Sequence, residues 1–94
     1  MDDSINLKKI FKVLGLEEIA YVDKIRRIYK YKDKYEISLD IVKELGYFVE
    51  IEIKKYNKDL SLEYDELLKV AKNFGLNLNN IDRRGYPYYM VYKN

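Results

Sequence analysis

Between Tyr47 and Lys55 the chain reads YFVEIEIKK, and from Val49 to Ile53 a branched hydrophobe and a glutamate alternate without interruption. A helix would scatter these residues round its circumference. An extended strand instead puts successive side chains on opposite faces, with Val49, Ile51 and Ile53 on one side and Phe48, Glu50, Glu52 and Lys54 on the other. Such a strand needs an apolar cover on one face and water on the other. The expected class is therefore α+β, an antiparallel sheet with helices packed on one side.

The rest of the chain supplies both parts. Ser4 or Asn6 can cap a helix with Leu7, Ile10, Phe11 and Leu14 in its stripe and Gly15 beyond its end. From Ile19 the period becomes two, which predicts one long strand with Val22, Lys24, Arg26, Ile28 and Lys30 on one face and Tyr21, Asp23, Ile25, Arg27 and Tyr29 on the other. Lys32-Asp33-Lys34 is a tight-turn signal, followed by Tyr35, Ile37 and Leu39 alternating with Glu36, Ser38 and Asp40. A short helical turn is expected over 41–45, ending at Gly46. Ser61 is the expected cap of a second long helix carrying Tyr64, Leu67, Leu68, Ala71 and Phe74. The remainder reads as a loop with one final turn opening at Pro87. Two helix ends echo each other, LKKIFKVLGL and LLKVAKNFGL, both running into glycine.

Composition narrows the chemistry. Residues 1–94 form one small domain, with 36% charged residues and a net charge of +2, too balanced to mark a nucleic-acid surface. Cysteine and histidine are both absent. Disulfides, thiolate chemistry, the usual zinc ligands and the commonest general base are thereby excluded, and carboxylates remain as hard-metal ligands. No apolar run is long enough to span a bilayer as a helix, and MDDSINLKK lacks the apolar segment of a secretion signal, so a cytoplasmic location is expected. Charge is segregated locally: residues 24–34 carry six basic side chains and one Asp, residues 35–52 five acidic ones and one Lys.

With helices on one side of the sheet, the opposite side gathers Lys24, Arg26, Asp40, Glu50, Glu52 and Lys54. Same-face neighbours along a strand lie roughly 6.5–7 Å apart, so two carboxylates can each offer oxygen to a divalent cation while Lys and Arg take phosphate oxygens. Cross-strand ion pairing on a solvated face is the plainer reading of the same pattern, and Lys54 is equally a solubilising residue near a strand end.

Taken together, VDKIRRIY, EISLD and LGYFVEIE resemble the carboxy-terminal half of the CYTH superfamily, the triphosphate tunnel metalloenzymes that include class IV adenylate cyclases and thiamine triphosphatases. The resemblance continues weakly to RRGYPYYM, where Gly85 stands in place of a serine cap. It implies a half-tunnel of an antiparallel barrel of about eight strands. It also implies that Lys24 and Arg26, with Lys54, bind a triphosphate, that Glu50 and Glu52, with Asp40, hold Mg²⁺ or Mn²⁺, and that the helices lie on the outer face.

Family members are much longer and carry their defining Glu-x-Glu-x-Lys on a first strand that has no counterpart here. A curved sheet of three or four strands cannot close round a ligand, so exposed edges are expected. Glu50-Ile51-Glu52-Ile53-Lys54 spells that signature itself. Two copies about a twofold axis would thus supply a shared lumen, the other routes being a separate amino-terminal partner chain or excision from a longer protein. Water attack in such a tunnel makes a triphosphatase, and ribose 3′-hydroxyl attack an adenylate cyclase. The other classes are a non-catalytic triphosphate-binding module and a protein-interaction subunit of a split cyclase-like protein. Single-stranded nucleic acid along IRRIYKYKDKY is less favoured, because the neighbouring strands are acidic.

Overall fold

The computed structural model describes residues 4–23, 25–44, 46–55, 59–82 and 89–93. Helix α1 (Ser4–Val13) leads into strands β1 (Glu17–Val22), β2 (Arg26–Tyr31), β3 (Tyr35–Val42) and β4 (Gly46–Ile53). Helix α2 (Leu60–Asn73), a 3₁₀ turn at Leu78–Asn80, β5 (Ile81–Asp82) and β6 (Tyr89–Lys93) follow. The six strands form a single antiparallel sheet in the order β1-β2-β3-β4-β6-β5. It is an open α+β sheet with both helices on one face, as the alternation in β4 requires, and it is consistent with the half-tunnel that the resemblance implies.

The core lies between that face and the helices. Tyr29, Tyr31, Tyr35, Ile37, Leu39, Val49, Ile51 and Ile53 are buried beneath Leu7 and Phe11 of α1 and Leu67, Val70, Ala71 and Phe74 of α2. Phe11 is the keystone. Its ring meets Tyr29 and Phe74 edge-on, each at 4.9 Å between centroids, and so ties both helices to β2.

The two helix-end echoes have one cause. Leu16 N–H donates to the Phe11 carbonyl at 2.9 Å and Gly15 N–H to that of Lys12 at 3.1 Å; Leu76 to Ala71 at 3.2 Å and Gly75 to Lys72 at 2.9 Å repeat the pattern. Both glycines are left-handed, with φ of +84° and +80°, and both helices close in the same glycine-dependent cap.

Several expectations are corrected. The long strand from Ile19 is a hairpin: the chain reverses after Val22, with Asp23 at φ +46° and Ile25 N–H donating to the Val22 carbonyl at 3.1 Å. Aspartate tolerates the left-handed region, which period-two counting does not register. Tyr21 and Ile25, expected under the helices, are 50% and 57% exposed. The segment after Ile41 is not a helical turn, since β3 runs on to Val42 and a tight reversal through Glu44 (φ +69°) starts β4. The last segment holds β5 and β6, and β6 pairs with β4; Pro87 and Gly85 lie outside the described residues. The turn after β2 is as expected, with Lys32 and Asp33 both at φ +54°, the left-handed pair that joins two-residue hairpins.

Helix α2 is capped by Asp59, not Ser61. The Asp59 carboxylate accepts from the N–H groups of Ser61 and Leu62 at 3.0 and 3.3 Å, because a cap must precede by two or three residues the amides that it satisfies. Asp59→Ala is expected to cost about 0.5–2 kcal/mol in urea unfolding. Ser61→Ala should stay within about 0.5 kcal/mol.

Candidate functional site

On the face turned away from the helices, pairing lines the side chains into three cross-strand rows. The first runs Val22, Arg26, Asp40, Phe48, Lys93; the second Ala20, Ile28, Ser38, Glu50, Val91; the third Glu17, Lys30, Glu36, Glu52. Rows on one face stand roughly 6.5–7 Å apart and strands about 4.8 Å apart.

Arg26 and Asp40 sit opposite each other and join as a fork, Nε to Oδ1 at 2.7 Å and Nη2 to Oδ2 at 3.0 Å. The hydrogen bond to Asp40, and then its charge, raise the Arg26 pKa further, with a smaller contribution from Glu50. The Arg26 side chain remains 52% exposed, and pairs this wet contribute about 0–1 kcal/mol. An arriving phosphate can therefore compete with Asp40 for the guanidinium at little cost.

Lys54 closes the third row. Its ammonium lies 3.2 Å from Glu52 and 3.4 Å from Glu36, and the hydrogen bond to Glu52, then the two carboxylate charges, raise its pKa. Glu50 stands exposed in the row between, across from Ser38, and makes no ion pair among the described residues. The ion pairs expected of a solvated strand face are thus present, with Glu50 outside them.

Five of the six sequence candidates, Arg26, Asp40, Glu50, Glu52 and Lys54, share this one face; Lys24 lies outside the described residues. The three carboxylates proposed for a metal are not gathered. Asp40, Glu50 and Glu52 occupy three different rows, Asp40 clasped by Arg26 and Glu52 beside Lys54. Among the described residues no group of three or more Asp and Glu comes close enough to hold a metal ion. Their hard oxygen donors are of the type Mg²⁺ and Mn²⁺ take, but among the described residues they do not form a complete set.

Sequence reasoning passed over Glu36, Lys30 and Lys93. Glu36 was visible in the alternation of β3 and stands directly across from Glu52. Lys93 was hidden because β6 was not read as a strand. At the Arg26 end the face runs into a groove of about 390 Å³ lined by Val22, Ile25, Arg26, Asp40, Ile41 and Val42. Among the described residues no helix is long and apolar enough to cross a membrane.

Comparison with known proteins gives two matches. The model of the CYTH domain matches residues 3–86. A protein of Methanocaldococcus jannaschii, provisionally named an adenylate cyclase, is 39% identical over 89 residues, which cover 92% of this chain and 49% of the relative. The chain thus spans about half the length of that relative. No solved structure matches it significantly.

Proposed function

Because this chain belongs to the CYTH domain family, we propose that its charged face binds the phosphates of a triphosphate and, once a second polypeptide completes the enclosure, takes part in hydrolysing them. The observation that carries this reading is the gathering of Arg26, Asp40, Glu50, Glu52 and Lys54 on the face that the helices leave bare. Arg26, Lys54 and the neighbouring Lys24 are the anion-binding groups. Arg26 offers a planar fork matched to two phosphate oxygens, and Lys54 offers a mobile point charge. As a phosphoanhydride bond breaks, these cations offset the charge that grows on the departing oxygens.

Mg²⁺ or Mn²⁺ is the expected accompaniment. Glu50 and Glu52, with Asp40, are the groups that would face it, and the remaining oxygens come from the phosphates and the completing polypeptide. That polypeptide is another copy of this chain or a chain equivalent to the part of the longer relative that this chain does not match. The name of the M. jannaschii relative favours one second reading, in which the attacking group is a ribose hydroxyl and the product a cyclic nucleotide. With no histidine in the chain, water attack makes the smaller demand on a general base.

Thermal-shift titration with tripolyphosphate and with ATP, each with and without Mg²⁺ or Mn²⁺, tests the proposal. Stabilisation by anion and metal together is expected, and Glu50→Gln with Glu52→Gln should remove the metal requirement. Arg26→Ala should weaken anion binding by about tenfold or more, the loss of a charge-assisted pair. Phosphate release identifies hydrolysis and cyclic product the cyclase. No response to either anion would sink the proposal and leave an interaction subunit.

A further inference from the structure

Beyond the first row the bare face turns apolar. Past Arg26 and Asp40 the next position on the same face of β3 is Val42, paired with Gly46, and Val22, Ile25 and Ile41 gather beside it. Together they line the groove of about 390 Å³ that opens at the Arg26 end, a size that falls among pockets for small organic groups. Its floor is fixed, because the Ile41 N–H donates to the Ile25 carbonyl at 2.7 Å and holds the turn after β1 against β3. Val22 and Ile25 are nevertheless 50% and 57% exposed. Walls this wet are stabilised by an apolar occupant.

Arg26 and Asp40 belong both to this groove and to the charged rows. A phosphate that takes the Arg26 guanidinium breaks the fork at little cost, but it leaves the Asp40 carboxylate, with its side chain 30% exposed, beside a second anion. Tripolyphosphate offers almost only acceptors and does not relieve that contact. A triphosphate ester whose organic group bears hydroxyls does relieve it, by donating to the carboxylate that Arg26 has released.

We propose that the groove is the subsite for the organic group of a triphosphate ester, and that Asp40 selects for hydroxyl donors on that group, such as the ribose hydroxyls of a nucleoside triphosphate. The phosphates then run from Arg26 down the rows toward Lys54, while the organic group lies the other way, over Val22, Ile25, Ile41 and Val42. Asp40 thereby works at the ester end, and the metal is left to Glu50 and Glu52, one and two rows away. The inference rests on the proposed function and narrows its ligand.

Isothermal titration of the full chain in Mg²⁺ with ATP, 2′,3′-dideoxy-ATP and tripolyphosphate reads the selection. ATP is expected to bind about tenfold or more tighter than tripolyphosphate, and the dideoxy analogue should fall about fivefold or more below ATP. Asp40→Ala should bind tripolyphosphate more tightly than the wild type does and should no longer separate ATP from its dideoxy analogue. Val22→Ser with Ile25→Ser, at two half-exposed positions, should weaken ATP by about fivefold or more and leave tripolyphosphate unchanged. Circular dichroism checks the folding of each variant, and the analogue comparison needs none of them. Tripolyphosphate bound as tightly as ATP, or a dideoxy analogue bound as tightly as ATP, overturns the subsite while the proposed function stands. Binding of none of the three sinks the proposed function and the subsite with it.

Discussion

Replacing Phe11 by alanine is expected to lower the unfolding free energy by about 3–5 kcal/mol, the usual cost of emptying a buried phenylalanine site. Domains of this size hold only about 5–15 kcal/mol in reserve. The size of the effect follows from what the ring touches. Phe11 is fully buried and lies edge-on against Tyr29 of β2 and Phe74 of α2. Its loss leaves a void where both helices meet the sheet: Phe74 keeps an edge-on contact to Tyr31 of β2 at 5.5 Å, but α1 has no other such aromatic contact to β2 among the described residues. Guanidinium unfolding followed by tryptophan-free tyrosine fluorescence or circular dichroism checks the value. Val13→Ala, at a site 85% exposed on the same helix, should move stability by no more than about 0.5 kcal/mol. Equal effects at the two positions would mean that α1 does not dock as described. The consequence reaches the charged face, because β2 carries Tyr29 on its covered side and Arg26, Ile28 and Lys30 on its bare one.

How much of this was legible in the sequence depends on which signals are local. The alternation in β3 and β4 survives intact because each strand is buried on one face only, so Val49, Ile51 and Ile53 had to lie opposite Glu50, Glu52 and Lys54. The helix stripes and their glycine ends were equally plain. What failed was punctuation. Asp23 reverses the chain without a glycine or proline to announce it, and the apparent long strand from Ile19 hid a hairpin whose first strand is an exposed edge. Strand β6 escaped because its residues, YMVYK, pair chiefly with β4, distant in sequence, and nearby only with the two residues of β5. The site inherits the same division: charged residues on the well-read strands were found, Lys93 on the unread one was not. Spacing along one strand placed Glu50 and Glu52 on a common face, but it carries no information on the rows across strands, which keep Asp40 apart from them.

Lys34→Met is the other substitution expected to act strongly, at about 2–3 kcal/mol, below the about 3–5 kcal/mol of a fully buried pair because Lys34 is 20% exposed. Its ammonium lies 3.1 Å from Glu63, whose side chain is 1% exposed, and 2.9 Å from Glu66. Removing it takes the cation away from a buried carboxylate. The same cluster sets the pH range of stability. Glu66 is held below its ordinary 4.5 by the Tyr35 hydroxyl first and by Lys34 second, so its contribution is present above that value and is lost as pH falls through the lowered one. Tyr35 is pushed above its ordinary 10.0 by burial and then by the Glu66 carboxylate. Lys34 ends above 10.5, since Glu66 and Glu63 together outweigh the burial that pulls it down. Both contributions are complete below those ordinary values and disappear as pH rises past about 10. Thermal unfolding across the pH range should therefore show a steep alkaline limb that Tyr35→Phe flattens and an acid limb that Glu66→Gln flattens; an alkaline limb unchanged in Tyr35→Phe would remove this account. The cluster also reaches the charged face, because the Lys34 carbonyl accepts from the Lys54 N–H at 2.7 Å. Loosening it should cost triphosphate affinity through the placement of Lys54, while Arg26, at the far end of the rows, keeps its fork with Asp40.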